Sequence, residues 1–341
     1  MTEMYLATSI VEEHDGLLTT KLTPIPMNIV YLDAYTLNPG DLDWTPLTAL
    51  GNVTFYERTS PEKLVEHALE AEVILVNKIK MSRKILAQLP RLRYIGVTAT
   101  GYDIIDTVAA RELGIIVTNV RGYGSDSVAQ FTFALLLELA LNVGRHNQSV
   151  HAGDWERSAD FCYWKSPLIE LAGKTLGLVG YGDIGRKVAH IGQAMGMNVI
   201  VHKRHPDESA GIRFVDLPTL FAQSDVVSLH CPMTAENRGF VNKALLATMK
   251  PSAFLINTSR GALINEADLT EALTKSVLAG AAVDVLTAEP PTQSSPLLTA
   301  PNCIITPHIA WASFEARGRL LASVVDNIKA FQAGTPTNMV G

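Results

Sequence analysis

Three side chains of complementary chemistry fall in the second half of the sequence, each just after a short apolar run. They are Arg260 in Asn257-Thr-Ser-Arg-Gly261, Glu289 in Asp284-Val-Leu-Thr-Ala-Glu-Pro290, and His308 in Thr306-Pro-His-Ile-Ala310. A guanidinium grips a carboxylate through two parallel hydrogen bonds. An imidazole exchanges a proton near neutral pH, and a carboxylate placed beside it favours the imidazolium. The set would suit a small carboxylic acid that must be held and must gain or lose a proton. Taken singly, each residue also has a plainer reading: a surface ion pair for Arg260, a turn or helix cap for Glu289, a core histidine for His308.

A second constellation precedes them. Gly180, Tyr181, Gly182, Asp183, Ile184 and Gly185 spell G-x-G-x-x-G between a strand-like run, Thr175-Leu-Gly-Leu-Val179, and a helical pattern from Ile184 to Met195. That context is what a dinucleotide fingerprint requires. Gly180 permits the tight turn, Gly182 lets backbone approach the pyrophosphate and Gly185 allows close helix packing, while the helix N-terminus offers N–H groups and a positive dipole end. About 20 residues on, sites selective for NAD place an acid on the ribose hydroxyls. Here the sequence reads His202, Lys203, Arg204, His205, with no acid among them. Cations favour a 2′-phosphate, so the expected cofactor is NAD(P)H with a preference for NADPH; ordinary solvated loop charges are the alternative.

Such groups need a scaffold that delivers them to one place. Runs rich in β-branched residues recur at Ile29 to Leu32, Val53 to Tyr56, Val73 to Val76, Tyr94 to Val97 and Ile115 to Thr118, with helix-compatible segments between them. A long helical stretch, from about Ser125 to Ala152 and apolar nearly all round from Phe131 to Ala140, reads as a connector. A second βα series then runs through Thr175 to Val179, Asn198 to Val201, Val226 to Leu229, Ala253 to Ile256, Ala281 to Val283 and Cys303 to Ile305, before a last helix at roughly 313–333. The predicted fold class is α/β, with two doubly wound parallel-sheet domains. The predicted divisions are a disordered N-terminal tail over 1–26, one discontinuous domain from 27–124 and 312–341, and a cofactor-binding domain over 125–311 that includes the connector.

Composition narrows the partners. A chain of 341 residues exceeds the usual size of one core, and 47% hydrophobic against 18% charged residues marks a folded protein. A net charge of −6 argues against nucleic acid or an anionic membrane as partner. Cys162, Cys231 and Cys303 are an odd set without C-x-x-C spacing, which predicts a reducing compartment and no metal site. The acidic first 26 residues resemble neither a signal nor a transit peptide, and no apolar run is long enough to span a bilayer, so the expected location is cytoplasmic.

Together these residues resemble the D-isomer-specific 2-hydroxyacid dehydrogenase family from about residue 28 onward. The carrying segments are Val97-Thr-Ala-Thr-Gly-Tyr-Asp-Ile-Ile-Asp106, Ser127-Val-Ala-Gln130, Leu171 through Gly185, His230-Cys-Pro-Met-Thr234, Ile256 through Gly261, Ala282-Val-Asp-Val285 with Glu289-Pro290, and Thr306-Pro-His-Ile309. The resemblance implies a flavodoxin-like substrate domain built from both chain ends, a Rossmann cofactor domain between them, an active site in the cleft and a homodimer formed through the cofactor domain. It implies that His308 is the acid/base, Glu289 its carboxylate partner, and Arg260 the group that holds the substrate carboxylate and polarises its carbonyl. Backbone N–H groups of Ala99, Thr100 and Gly101 would bind the carboxylate too. Cys231, Pro232, Thr258, Ser259 and Asp284 would lie near the cofactor.

Within the family the pattern is most similar to glycerate dehydrogenases, also called hydroxypyruvate reductases, through Val76-Asn-Lys78, Ala99-Thr-Gly-Tyr-Asp103 and Asp160-Phe-Cys-Tyr-Trp164. The implied substrate is a small 2-keto or 2-hydroxy acid, with hydroxypyruvate and glyoxylate foremost. Lys78 reads equally as a substrate contact and as a solvated turn residue. The rival readings are a dinucleotide-sensing, corepressor-like regulator on the same fold and a dehydrogenase of another small anion such as phosphite.

Overall fold

The computed structural model describes residues 6–12, 18–24, 26–205, 211–291 and 295–341. Strands β1 (Leu6–Glu12) and β2 (Leu18–Pro24) pair antiparallel as a separate two-stranded ribbon. This departs from the disordered tail expected over 1–26. The physical reason lies in composition: Thr, Ile and Val in the first run and three Thr in the second favour extended backbone.

The chain then divides into two units: one holds the residues up to Tyr123 together with Phe314–Gly341, and the other Gly124–Ser313. In the first unit, β3 (Met27–Tyr31), β4 (Gly51–Phe55), β5 (Val73–Val76), β6 (Tyr94–Val97) and β7 (Ile116–Thr118) form a parallel sheet in the order β4-β3-β5-β6-β7. That is the flavodoxin-like order. β5 and β6 are buried along their whole length, as expected of parallel strands with helices on both faces. The last helix, Phe314–Gln332, belongs to this unit. It is tied in by the near-buried Arg317, which donates to the Leu37 carbonyl (3.1 Å) and to both carboxylate oxygens of Asp41 (2.7 and 2.6 Å).

The second unit opens with the connector. It is not one helix but two, Ser125–Leu141 and Val143–His151, divided at Asn142 with a left-handed φ of 48°. Asn tolerates that conformation better than other non-glycine residues, so the apolar and polar halves separate there. Seven parallel strands follow: β8 (Thr175–Val179), β9 (Asn198–His202), β10 (Arg213–Phe214), β11 (Val226–Leu229), β12 (Phe254–Asn257), β13 (Gly280–Val283) and β14 (Cys303–Ile305). Their order is β10-β9-β8-β11-β12-β13-β14, a doubly wound Rossmann sheet whose direction of winding reverses between β8 and β11. The two-residue β10 is too short to show as a periodic run. One face of this sheet packs on a cluster around Phe221, Leu246, Leu255 and Leu269; the other packs on the connector through Phe133, Leu136 and Ala140.

Candidate active site

Parallel strands expose their carboxyl ends together, and the reversal between β8 and β11 opens a crevice there. The fingerprint sits at that point. Gly180 has φ +102°, and a Cβ on it would lie 2.6 Å from the His230 carbonyl and 2.8 Å from the Cys231 nitrogen. A Cβ on Gly185 would lie 2.4 Å from the Gly180 oxygen, so helix Asp183–Ala194 approaches the strand end as only glycine allows. A Cβ on Gly182, the residue capping this helix, meets nothing within 4 Å. The first and last glycines are therefore demanded by the protein's own packing, whereas the middle one leaves open space at a helix N-terminus. That is the shape and polarity a pyrophosphate requires, so these residues fit a dinucleotide.

Around the cradle, Tyr181 meets Phe214 edge-on and lies under the Arg186 guanidinium. Asp183 and Ile184 begin the helix, and Pro232 is exposed beyond Cys231. The Ser259 hydroxyl donates to the Cys231 carbonyl at 2.6 Å, and Thr258, buried, shares a 3.2 Å hydrogen bond with Thr132 of the connector. Burial pushes the Cys231 thiol up to about 11 and the His230 imidazole down to about 4. Both are thus neutral at pH 7, and His230 shares a 2.8 Å hydrogen bond with Ser228. His202 closes β9, where its Nδ1 meets the Val215 carbonyl at 3.1 Å; Lys203 is half-buried and Arg204 exposed on the loop that follows.

Arg260, Glu289 and His308 follow the neighbouring strands β12, β13 and β14. His308 Nδ1 lies 2.6 Å from Glu289 Oε2, and the other Glu289 oxygen accepts the Leu286 N–H at 3.0 Å. The acid is thereby oriented by its own turn. Nδ1 on the carboxylate leaves Nε2 as the ring's working nitrogen. Gly261 brings the Arg260 loop against that same turn, since an added Cβ would be 2.0 Å from the Leu286 carbonyl carbon. Arg260 itself is exposed and donates to the Ser259 carbonyl at 2.8 Å.

Asp284 ties the end of β13 to the loop that carries His308. The residue is 1% exposed, and its carboxylate accepts the Thr306 hydroxyl at 2.7 Å, the Ile309 N–H at 2.9 Å and the Ala310 N–H at 2.8 Å. Its backbone carbonyl accepts the His308 N–H at 2.8 Å. Burial raises the Asp284 carboxyl above its ordinary range, and these hydrogen bonds oppose the rise. His308 has φ +56°, in the left-handed region that His enters more readily than most non-glycine residues, and its N–H bond to the Asp284 carbonyl fixes it there.

In the first unit Lys78 follows β5, and Ala99, Thr100 and Gly101 follow β6, the adjacent strand. What anchors the Lys78 loop is not legible in the sequence. Asp33, after β3, accepts the Asn77 N–H (2.9 Å) and the Lys78 N–H (2.8 Å) on a buried carboxylate. A lone acid after an apolar run has no diagnostic spacing, so only the strand order reveals its partners.

The comparisons with known proteins settle the family. Residues 133–310 match the D-isomer specific 2-hydroxyacid dehydrogenase, NAD binding domain. The chain belongs to the D-isomer-specific 2-hydroxyacid dehydrogenase family. It is 47% identical over 320 residues to a hydroxypyruvate reductase of Blautia hydrogenotrophica, covering 92% of this chain and 99% of that protein. It is 42% identical over 288 residues to a glycerate dehydrogenase of Methylorubrum extorquens, covering 84% and 90%. Among solved structures, an NADPH-dependent glyoxylate/hydroxypyruvate reductase from Sinorhizobium meliloti, in complex with NADP and malonate, aligns with a TM-score of 0.78 at 29% identity over 93% of this chain and 97% of that one. This family member is accordingly an oxidoreductase that uses a nicotinamide dinucleotide and acts on 2-hydroxy or 2-keto acids.

Proposed function

We propose that this dehydrogenase reduces hydroxypyruvate or glyoxylate to the D-2-hydroxy acid, or runs the reverse reaction, with NADPH preferred to NADH. The observation that carries the reading is the 2.6 Å His308–Glu289 pair at the carboxyl ends of the same sheet that bears the glycine cradle. Gly180, Tyr181, Gly182, Asp183, Ile184 and Gly185 hold the pyrophosphate, and Cys231, Pro232, Thr258, Ser259 and Asp284 border the dinucleotide. When bound, the dinucleotide supplies or accepts the hydride. Arg260 binds the substrate carboxylate and stabilises the charge that grows on the carbonyl oxygen. His308 Nε2 donates the proton that this oxygen takes up, and Glu289 stabilises the imidazolium beforehand. Within the first unit, Lys78 and the N–H groups of Ala99, Thr100 and Gly101 offer a cation and hydrogen-bond donors suited to a carboxylate. His202, Lys203 and Arg204 meet the 2′-phosphate, a reading supported by the absence of an acid among residues 202–205.

The proposed enzyme is a cytoplasmic homodimer. Support for self-association comes from the segment after the connector, where Trp155, Phe161 and Trp164 are 53%, 89% and 68% exposed and would bury large aromatic surface against a second copy. Loss of nicotinamide absorbance with NADPH, and separately NADH, against hydroxypyruvate, glyoxylate, pyruvate and phenylpyruvate tests the activity. Turnover of hydroxypyruvate or glyoxylate, faster with NADPH, is expected. Tight dinucleotide binding with no turnover of any acid would overturn the proposal.

A further inference from the structure

We infer that Asp33 and Asn77 are positioning residues which set Lys78 against the backbone of Ala99, Thr100 and Gly101, so that cation and N–H groups converge on one substrate carboxylate. This rests on the function proposed above and extends it to residues that touch no substrate. β3, β5 and β6 lie side by side and end together. Asp33 leaves β3 with its carboxylate 7% exposed at residue level, and its two oxygens share the Asn77 N–H at 2.9 and 3.0 Å. The second oxygen also takes the Lys78 N–H at 2.8 Å. Successive N–H groups turned onto one carboxylate fix the backbone of that loop, and so the point from which the exposed Lys78 side chain departs.

Asn77 carries the register across to the next loop. Its side chain, 4% exposed at residue level, donates through Nδ2 to the Thr98 carbonyl at 2.9 Å. Thr98 is fully buried, accepts the Tyr31 hydroxyl at 3.0 Å and directly precedes Ala99. From the other side Asn119 donates to the Thr100 carbonyl at 2.7 Å, and the Thr100 hydroxyl donates to the Val120 carbonyl at 2.8 Å. The two loops therefore share one buried polar network. Hydrophobic packing needs none of these groups, and burying a carboxylate costs stability unless its hydrogen bonds recover it.

The test is a double-mutant cycle read on glyoxylate, with whichever dinucleotide the wild type turns over held saturating. Lys78→Ala should raise the KM for glyoxylate about tenfold, with a smaller change in kcat. Asp33→Asn keeps the side chain's size but replaces one acceptor by an amino group, and should raise KM to a similar extent. The pair D33N/K78A should then be no worse than K78A alone, because Asp33 acts through Lys78. Multiplying effects, or D33N lowering kcat and dinucleotide affinity with KM unmoved, would overturn the inference and leave Asp33 a structural residue. Should D33N not fold, Asn77→Ala, which removes only the link to Thr98, enters the same cycle with the same criterion. A wild type that turns over glyoxylate while K78A leaves its KM unchanged would overturn this inference alone. A wild type inactive on every 2-keto acid would overturn the function as well.

Discussion

At the scale of single residues, the site separates groups that act from groups that orient them. Glu289 spends one oxygen on the Leu286 N–H and the other on His308, so a neutral isostere keeps the shape and loses the charge. Glu289→Gln should lower kcat about 10-fold to 100-fold while dinucleotide affinity, measured by fluorescence titration, stays level; wild-type kcat would remove Glu289 from the mechanism. Lys203 and Arg204 are tested as a pair. Replacing both by Ala should raise the KM for NADPH about 10-fold or more and leave that for NADH nearly unchanged, since only NADPH carries the 2′-phosphate. A parallel change in both would mean that the loop does not read that group. Arg260, Glu289 and His308 could be picked out in the sequence because reactive side chains just beyond apolar runs are conspicuous. The anchoring role of Asp284 could not, because its partners, Thr306, Ile309 and Ala310, lie a whole strand away.

At the scale of elements, the βα turn after β8 divides its glycines by purpose. Gly182→Ala adds a methyl group to open space and should leave the melting temperature of the dinucleotide-free protein within about a degree of wild type. It should also abolish the rise in melting temperature that a dinucleotide produces, about 2.7 kcal/mol of stabilisation at a hundredfold excess over Kd. Gly185→Ala forces a Cβ to 2.4 Å from backbone and should cost about 2 kcal/mol or more with or without dinucleotide. Equal destabilisation by both changes, read by differential scanning calorimetry, would contradict this division. The regular elements were readable from sequence because buried parallel strands are short β-branched runs. The break at Asn142 was not, since apolar residues run up to Leu141 and nothing in the periodicity marks a left-handed residue. The ribbon of β1 and β2 was not readable because the acidic character of the first 26 residues outweighs their β-branched content.

At the scale of the whole molecule, the chain ends meet in the first unit, and Arg317 with Asp41 is one of the joints. The Arg317 guanidinium holds the Asp41 carboxyl below its ordinary range. A depressed carboxyl contributes stability that is fully present above the unfolded value of about 3.9 and is lost as pH falls through the folded value. Asp41→Asn should therefore melt earlier than wild type at pH 7, and the two curves should converge below about pH 4; a gap that persists in acid would mean packing rather than charge. Among the described residues no single helix is long and apolar enough to cross a membrane. The two units carry sheets of different winding order, β4-β3-β5-β6-β7 in the first and β10-β9-β8-β11-β12-β13-β14 in the second.

The role proposed for His308 is to give the proton while a dinucleotide bound at the β8 turn reduces a 2-keto acid. It is tested most directly by comparing wild type with His308→Ala on hydroxypyruvate, with dinucleotide Kd measured alongside kcat. Wild-type turnover is expected, with kcat lowered about 100-fold to 10,000-fold in the variant and Kd nearly unchanged. A variant that turns over as fast as wild type would contradict it.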